Sequence, residues 1–558
     1  MRRHTPIFEK GSTGSISFGH STFDSSRGVF LLYVVGVSTF FLLVILRLFQ
    51  LTIVKGDYYA GLADDNRVRE ITIEAPRGSI SDRKGIILAS NNSPDVDSSD
   101  DRVSSKRIYY KSDAISHVIG YRQTADATDL KNDACLNKLK LGDKTGKKGV
   151  EQLYECELRG KRGKKLVEVD AHGQEIKTLS ILPPVEGKDF QLAIDSALQE
   201  KAHTLLEGKL GAVVGLKPET GEVLILESAP GFDPQIFEDG DSKRAGELIL
   251  DETKPLFNRA LEGNYPPGST FKMFVATAGL EEKVITPEET IMDNGVLEAG
   301  PLKFHNWYYL EYGRTEGEVD MVKSLQRSND IYYYTLGAKL GPERIRKWAE
   351  LFGFQSKTGI GLHEISGIIP SSFWKEQTLN ERWYLGDTYN LSIGQGYVTS
   401  TPLQVAAATA VFANGGYLCK PNVLKATSSS DKNCTKVPFS EMTYNIVREG
   451  MKAACTTGGT AYPFFDFRVG DEIATESASM ASGEAKMTVG TRVEVGCKTG
   501  TAESHAISGK ALAWFTIFAP FDKPEIVLTV LVEEGGQGSD EAAPIAKDIL
   551  KTYFERSE

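Results

Sequence analysis

Residues 195–228 read DSALQEKAHTLLEGKLGAVVGLKPETGEVLILES. Asp195 ahead of apolar residues at helical spacing predicts a capped amphipathic helix. The β-type runs 211–216 and 222–228, joined by Lys217-Pro218-Glu219-Thr220-Gly221, predict a hairpin, so a globular domain starts at Asp195. The C-terminus mirrors this pattern. Runs 511–519 and 525–532 flank a turn at Asp522-Lys523-Pro524, and residues 542–555 close as a helix. With residues 491–499 as a further strand, the expected fold class is α/β: a five-stranded antiparallel sheet, built from both ends of the domain and flanked by helices. Two polar stretches, 427–435 and 475–487, are expected to be surface loops.

Ahead of this domain, residues 52–194 mix short β-type runs (68–73 and 86–89) with polar stretches. Residues 95–106 (DVDSSDDRVSSK) are expected to form an exposed loop. Residues 29–46 (VFLLYVVGVSTFFLLVIL) run for 18 residues without a charge between Arg27 and Arg47, which is enough for a membrane-crossing helix. Arg47-Leu48-Phe49-Gln50-Leu51 follows, not the small residues of a cleavage site, so the segment reads as an uncleaved signal anchor. Arg2, Arg3, Lys10 and Arg27 outnumber Glu9 and Asp24 in the tail. The positive-inside rule then puts the tail in the cytosol and the bulk of the chain outside the cell membrane. The expected organisation is a cytosolic tail (1–27), one transmembrane anchor (28–51), a β-rich pedestal (52–194) and the α/β domain (195–558).

With 64 basic against 75 acidic side chains and a net charge of −11, the chain offers no cationic field for nucleic acid. Six cysteines in 558 residues are too few for a disulfide scaffold and lack zinc spacing. Cys419 and Cys434 flank the polar residues 420–433 and could be bridged or free. Cys497 reads as a small, buried strand residue. His363-Glu364 begins like a zinc-hydrolase helix, but position 367 is Gly, so a second ligand is missing. In His305-Asn306-Trp307, near Asp293, a single histidine without cysteines nearby reads as a hydrogen-bonded side chain and not as a metal ligand.

The strongest chemical signal is Tyr265-Pro266-Pro267-Gly268-Ser269-Thr270-Phe271-Lys272. The prolines and glycine make a turn, and the apolar run after it places Ser269 on the first turn of a helix, where the dipole stabilises an oxyanion. Lys272 lies three residues on, on the same face. A serine needs a base to become a nucleophile, and a lysine removed from water can lose its proton and serve. Ser-x-x-Lys occurs four times in the chain and Lys-Thr-Gly three times, so order and context must discriminate.

One set is ordered: Ser269-x-x-Lys272, then Ser328-Asn329-Asp330 59 residues later, then Lys498-Thr499-Gly500-Thr501 on a strand leading into a hairpin. This triplet resembles the serine acyltransferases that bind penicillin. Residues 75–85 (APRGSISDRKG), 149–155 (GVEQLYE), 392–396 (SIGQG) and 401–404 (TPLQ), with Ala513-Trp514-Phe515, are similar to class B penicillin-binding proteins. Ser328-Asn329-Asp330-Ile331-Tyr332-Tyr333-Tyr334 and Trp383-Tyr384-Leu385-Gly386-Asp387-Thr388 are more like the elongation type than the division type. Asp330 stands where most relatives carry Asn and calls for a donor partner, for which Lys272 is expected. Gly496-Cys497 stands where Ala-Gly is usual, and the pedestal is shorter than in most of the family.

The resemblance implies a peptidoglycan D,D-transpeptidase that cross-links stem peptides and binds β-lactams covalently. Ser269 is the implied nucleophile and Lys272 its base, with Ser328, Asp330 and Lys498 in the proton network. Thr499, Gly500 and Thr501 are implied on the substrate, and the backbone N–H groups of Ser269 and Thr501 in the oxyanion hole. It calls for no metal or cofactor and implies a SEDS-family glycan polymerase as membrane partner. The alternatives are a D,D-carboxypeptidase or β-lactamase, in which water is the acceptor, and an idle scaffold or β-lactam sensor.

Overall fold

The computed structural model describes residues 26–92, 95–97, 102–170, 172–426, 433–470, 490–503 and 509–556. The chain divides into two compact units, Met1–Ile71 with Lys165–Ile181 and Thr72–Lys164 with Leu182–Glu558. In the first unit, Ser26–Phe49 is one α-helix, continued by a π turn over Gln50–Val54 and a helix over Gly56–Arg67. The stretch Arg27–Val54 is long and apolar enough to cross a membrane. Arg67 pairs with Glu168 at 2.9 Å and Lys165 with Glu175 at 2.6 Å in the same unit.

In the second unit the sheet expected from both ends of the domain is present. Its strands are β1 (Gly211–Leu216), β2 (Val223–Ala229), β3 (Gly496–Ala502), β4 (Leu512–Ala519) and β5 (Ile526–Val532). They lie in the order β2-β1-β5-β4-β3, each neighbouring pair antiparallel. The helices that matter below are α1 (Ser196–Leu205), α2 (Lys272–Glu281), α3 (Asp330–Leu340), α4 (Pro402–Ala410), α5 (Glu441–Ala454) and α6 (Ala543–Glu555). Both faces of the sheet are covered, which is why its strands are continuous apolar runs and do not alternate. Val213, Leu528 and Phe515 pack with Leu198 of α1 and Ile545 and Ile549 of α6, while Ala212 and Val214 pack with Leu403 and Ala406 of α4. The side chain of Asp195 caps α1.

Two expectations need correction. The last-motif strand starts at Gly496, not Thr491, because Thr491–Arg492 pairs separately with Arg468–Val469. A β-type run shows that a strand forms but not which neighbour it pairs with. Residues 95–106 are not a plain exposed loop. Asp95–Asp97 pairs with Arg102–Ser104, Arg102 and Val103 also pair with Thr72 and Ile73, and Arg107 is fully buried. Polar side chains there did not prevent backbone pairing. Of the two polar inserts, 475–487 and most of 427–435 lie outside the described residues, while Cys434–Lys436 forms a strand against Tyr417–Cys419.

The sequence signatures 75–85 and 149–155 meet in a buried ion cluster. Glu151 takes Arg77 at 2.5 Å and Arg107 at 2.8 Å, and Arg77 also reaches Glu155 at 2.6 Å. Burial would push the Glu151 carboxyl up, but the Arg107 and Arg77 guanidiniums hold it down to about 2. Arg122 similarly pairs with Glu238 at 2.7 Å.

All six cysteines are paired: Cys135–Cys156, Cys419–Cys434 and Cys455–Cys497. Cys497 is buried on its strand as expected, but as half of a disulfide.

Candidate active site

The turn that carries Ser269 is set by backbone constraints. Gly268 has φ of +55°, and its N–H donates to Gly394 O at 2.9 Å. A side chain at Gly268 would strike Thr501 O, and one at Gly394 would strike Gly268 O, so glycine is required where these segments touch. Gly268–Phe271 is a 3₁₀ turn that runs directly into α2, putting Ser269 half-buried ahead of the helix that begins with Lys272. Every residue of α2 from Lys272 to Leu280 is buried. Such an apolar-all-round helix belongs in the centre of a domain.

Ser328 closes the approach to the second motif with φ of +52°, an unusual conformation for a residue with a side chain. Asn329 then caps α3, its side chain accepting from Tyr332 N at 2.9 Å. Its Nδ2 donates to Asp293 Oδ2 at 2.8 Å, as does Asn306 Nδ2 at 2.7 Å. His305, expected to be hydrogen-bonded, has a buried Nδ1 with no partner among the described residues, and its ring stacks parallel to Tyr309. His363 meets Glu262 at 3.1 Å, and Glu364 accepts from Thr358 and Gly359. No cluster of three metal-type ligands occurs among the described residues.

The three motifs converge on Ser328. Its hydroxyl lies 3.3 Å from Lys272 Nζ and accepts from Lys498 Nζ at 2.8 Å. Lys272 Nζ also donates to Ser328 O and to Asp330 Oδ1, each at 2.7 Å, and sits 5.4 Å from the centre of the Tyr333 ring. The second oxygen of Asp330 accepts from Trp307 N at 3.0 Å. Asp330 thus contacts Lys272, as expected, and not Lys498. No Ser269–Lys272 hydrogen bond occurs among the described residues; Lys272 is engaged by the second motif.

Both lysines are fully buried, and burial lowers both ammonium pKa values. For Lys272 the Asp330 carboxylate pulls in the opposite direction but does not cancel the burial effect. Lys498 falls well below the ordinary lysine range because the Lys272 charge adds to burial. Two amines and one carboxylate around a hydroxyl can hand a proton along a chain.

The third motif lies against the Ser269 turn. A Cβ at Gly500 would meet Thr270, Trp514 and Pro267, so β3 passes the turn at backbone distance. Trp514 Nε1 donates to Pro266 O at 2.9 Å. Thr499 shares a hydrogen bond with Thr460 at 2.7 Å, and Gln395 Nε2 reaches Thr501 O at 3.4 Å. Sequence reasoning did not single out Thr460, and it met Asn306 and Trp307 only as neighbours of His305, without a role in the second motif. Gln395 had a signal, inside residues 392–396. The other Ser-x-x-Lys candidates with a described lysine are engaged elsewhere: Lys375 pairs with Asp387 at 2.8 Å and Lys84 with Asp195 at 3.5 Å.

Comparison with known proteins agrees with this geometry. Residues 211–551 match the penicillin binding protein transpeptidase domain, and residues 98–192 the penicillin-binding protein dimerisation domain. The chain is 35% identical over 475 residues to the peptidoglycan D,D-transpeptidase MrdA of Haemophilus influenzae, covering 80% of this chain and 69% of that protein. Its fold matches Pseudomonas aeruginosa PBP2 in complex with WCK 5153 at a TM-score of 0.71 and 33% identity, covering 87% of this chain and 96% of the other. It also matches a chain of a peptidoglycan synthase complex that coordinates polymerization and crosslinking, at a TM-score of 0.71 and 27% identity, over 95% of this chain and 98% of that one. The chain belongs to the penicillin-binding protein transpeptidase family, among its class B, elongation-type members.

Proposed function

We propose that this protein is a peptidoglycan D,D-transpeptidase that works through an acyl-enzyme on Ser269. The observation that carries the reading is the buried Ser328 hydroxyl between the two lysine amines, 3.3 Å from Lys272 and 2.8 Å from Lys498. The substrate is a stem peptide ending in D-Ala-D-Ala. Lys272, discharged more easily because it is buried, takes the Ser269 proton as Oγ attacks the penultimate carbonyl. The oxyanion is met by the backbone N–H groups of Ser269 and Thr501. As the C–N bond breaks, the proton passes through Ser328 to the departing D-alanine nitrogen. Lys498, Thr499 and Thr501 hold the terminal carboxylate, and Gly500 lets the strand approach the turn. An amine of a neighbouring strand then attacks the ester, releasing Ser269 and forming the cross-link. β-Lactams enter as mimics of the same acyl donor and stay attached.

The same reading assigns residues 1–27 to a cytosolic tail, 28–51 to the anchor, 52–194 to the pedestal and 195–558 to the catalytic domain. The cationic tail supports a single-pass topology with the catalytic domain outside the cytoplasmic membrane. The likeness to a chain of a peptidoglycan synthase complex supports a SEDS-family polymerase as partner.

Incubating the purified protein with a fluorescent penicillin should label it covalently, and Ser269→Ala should abolish labelling while the protein remains folded. With a pentapeptide donor and an amine acceptor, D-alanine release should accompany amide formation. Labelling that survives in Ser269→Ala overturns the assignment of the nucleophile. D-Alanine release with no cross-linked product makes the protein a carboxypeptidase.

A further inference from the structure

β3 is the edge strand of the sheet. Its backbone ladder runs to β4 on one side only, yet it carries Lys498, whose amine must reach the Ser328 hydroxyl. An edge strand with one free side lacks the second ladder that fixes a central strand. The residues flanking Lys498 are both held from outside the sheet. Cys497 is disulfide-bonded to Cys455 at the end of α5, with a Cα separation of 6.0 Å. Thr499 is hydrogen-bonded to Thr460 at 2.7 Å.

Successive side chains of a strand point to opposite faces, so Cys497 and Thr499 share one face and Lys498 takes the other. A grip on both neighbours fixes the strand on either side of Lys498 and hence where its amine lands. Both grips come from one short segment, residues 455–460, folded onto the end of α5 by Ala461 N donating to Ala454 O at 2.9 Å. The same segment is tied to the second motif: Arg327, the residue before Ser328, donates from Nη1 to Gly458 O at 2.9 Å. Residues 455–460 therefore bridge the two motifs whose side chains meet in the Lys498–Ser328 hydrogen bond. Cys455 and Cys497 are themselves buried among apolar side chains.

We infer that the Cys455–Cys497 disulfide is a positioning bond for Lys498, locking the edge strand to the segment that also holds Ser328. The inference rests on the acyl-enzyme reading above. Opening the bond takes two electrons and two protons from a dithiol, which becomes a cyclic disulfide as Cys455 and Cys497 become thiols. Acylation then proceeds from a looser Lys498.

The test measures the rate and pH profile of acylation by a fluorescent penicillin on the full-length protein. It compares untreated protein, dithiothreitol-treated protein and the Cys455→Ala/Cys497→Ala variant, each checked for folding by circular dichroism. The variant should acylate about ten-fold or more slowly, in keeping with the cost of misplacing a reacting group. Its pH profile should also shift, because the Lys498 amine leaves the seat in which it donates to Ser328 Oγ at 2.8 Å and to Thr499 O at 3.0 Å. A merely structural bond would lower the melting temperature and leave that profile in place. Dithiothreitol also opens the other two bridges, so Cys419→Ala/Cys434→Ala and Cys135→Ala/Cys156→Ala variants serve as controls and should keep their full rate until the dithiol is added.

If the cysteine-to-alanine pair fails to fold, reduction of the already folded protein gives the same reading. A folded variant with the parental rate and pH profile overturns the inference, as do free thiols at Cys455 and Cys497 in untreated protein. Untreated protein that takes up no penicillin overturns the proposed function instead.

Discussion

The Arg77–Glu151–Arg107 cluster and the Lys272–Asp330–Lys498 cluster both hold ionic groups out of water, and they do so with opposite balance. In the first, the guanidiniums of Arg77, Arg107 and Arg159 face the carboxylates of Glu151, Glu155 and Asp133, and Glu151 is driven firmly to its charged form. In the second, Lys272 is paired with the one carboxylate, Asp330, and both ammonium groups are weakened. Guanidinium does not give up its proton in a protein, whereas a buried lysine does. Balanced charges on arginine make a lock. Unbalanced charges on lysine leave protons that can move, as the proposed relay requires.

Replacing Lys272 by Arg puts the lock's chemistry into the relay and is the hardest test of this contrast. Acylation should fall by about 10²–10⁴-fold, the usual share of a general base, in a time course with a fluorescent penicillin. A Lys272→Arg enzyme that acylates at the parental rate breaks the comparison.

Breaking the lock should instead cost stability. Glu151→Ala leaves Arg77 and Arg107 buried without their shared carboxylate and should destabilise by about 3–5 kcal/mol in denaturant unfolding. The pH dependence has a definite sign. The folded Glu151 carboxyl lies near 2, below its ordinary value of 4.5. Its stabilisation is therefore present above the ordinary carboxylate range and lost as pH falls from about 4.5 towards 2. Melting curves of the parent should show this acid loss, and those of Glu151→Gln should show less of it; equal slopes would remove Glu151 from the lock.

The Cys419–Cys434 bridge is an uncharged staple and a useful third case. It spans 15 positions, and its removal by paired alanines should lower stability by about 3 kcal/mol in the chain-entropy model, with penicillin labelling of the folded protein unchanged. Labelling that slows in step would couple this remote bridge to the relay.

The smallest effect expected is that of Asp330→Asn. The carboxylate raises the Lys272 pKa against the effect of burial. Without it Lys272 sheds its proton at lower pH, so the acidic limb of acylation moves to lower pH while acylation itself persists. An unchanged profile would leave Asp330 a structural residue.

The ordered motifs made the nucleophile, both lysines and the carboxylate legible, because chemistry restricts which residue types can do the work at those positions. The sheet was legible because strands covered on both faces must be apolar throughout. Residues 95–106 misread as a loop because side-chain polarity reports solvent, not whether the backbone finds a strand partner. Thr460 carried no signal, and Asn306 and Trp307 drew notice only beside His305; what each does is a hydrogen bond to a residue of another segment, which residue type alone does not announce.

The linear chain by itself determined the helix long and apolar enough to cross a membrane, the class of the α/β domain and the residue types that meet in the candidate site. These depend on local periodicity and on residue type. Only the tertiary structure decided that Cys497 is half of a disulfide, that the Ser328 hydroxyl sits between the Lys272 and Lys498 amines, and that Arg77 and Glu151 neutralise each other. Partner choice for a charge or a thiol is a matter of a few ångströms between segments tens to hundreds of residues apart. Packing of the whole domain sets those distances, and no spacing along the chain encodes them.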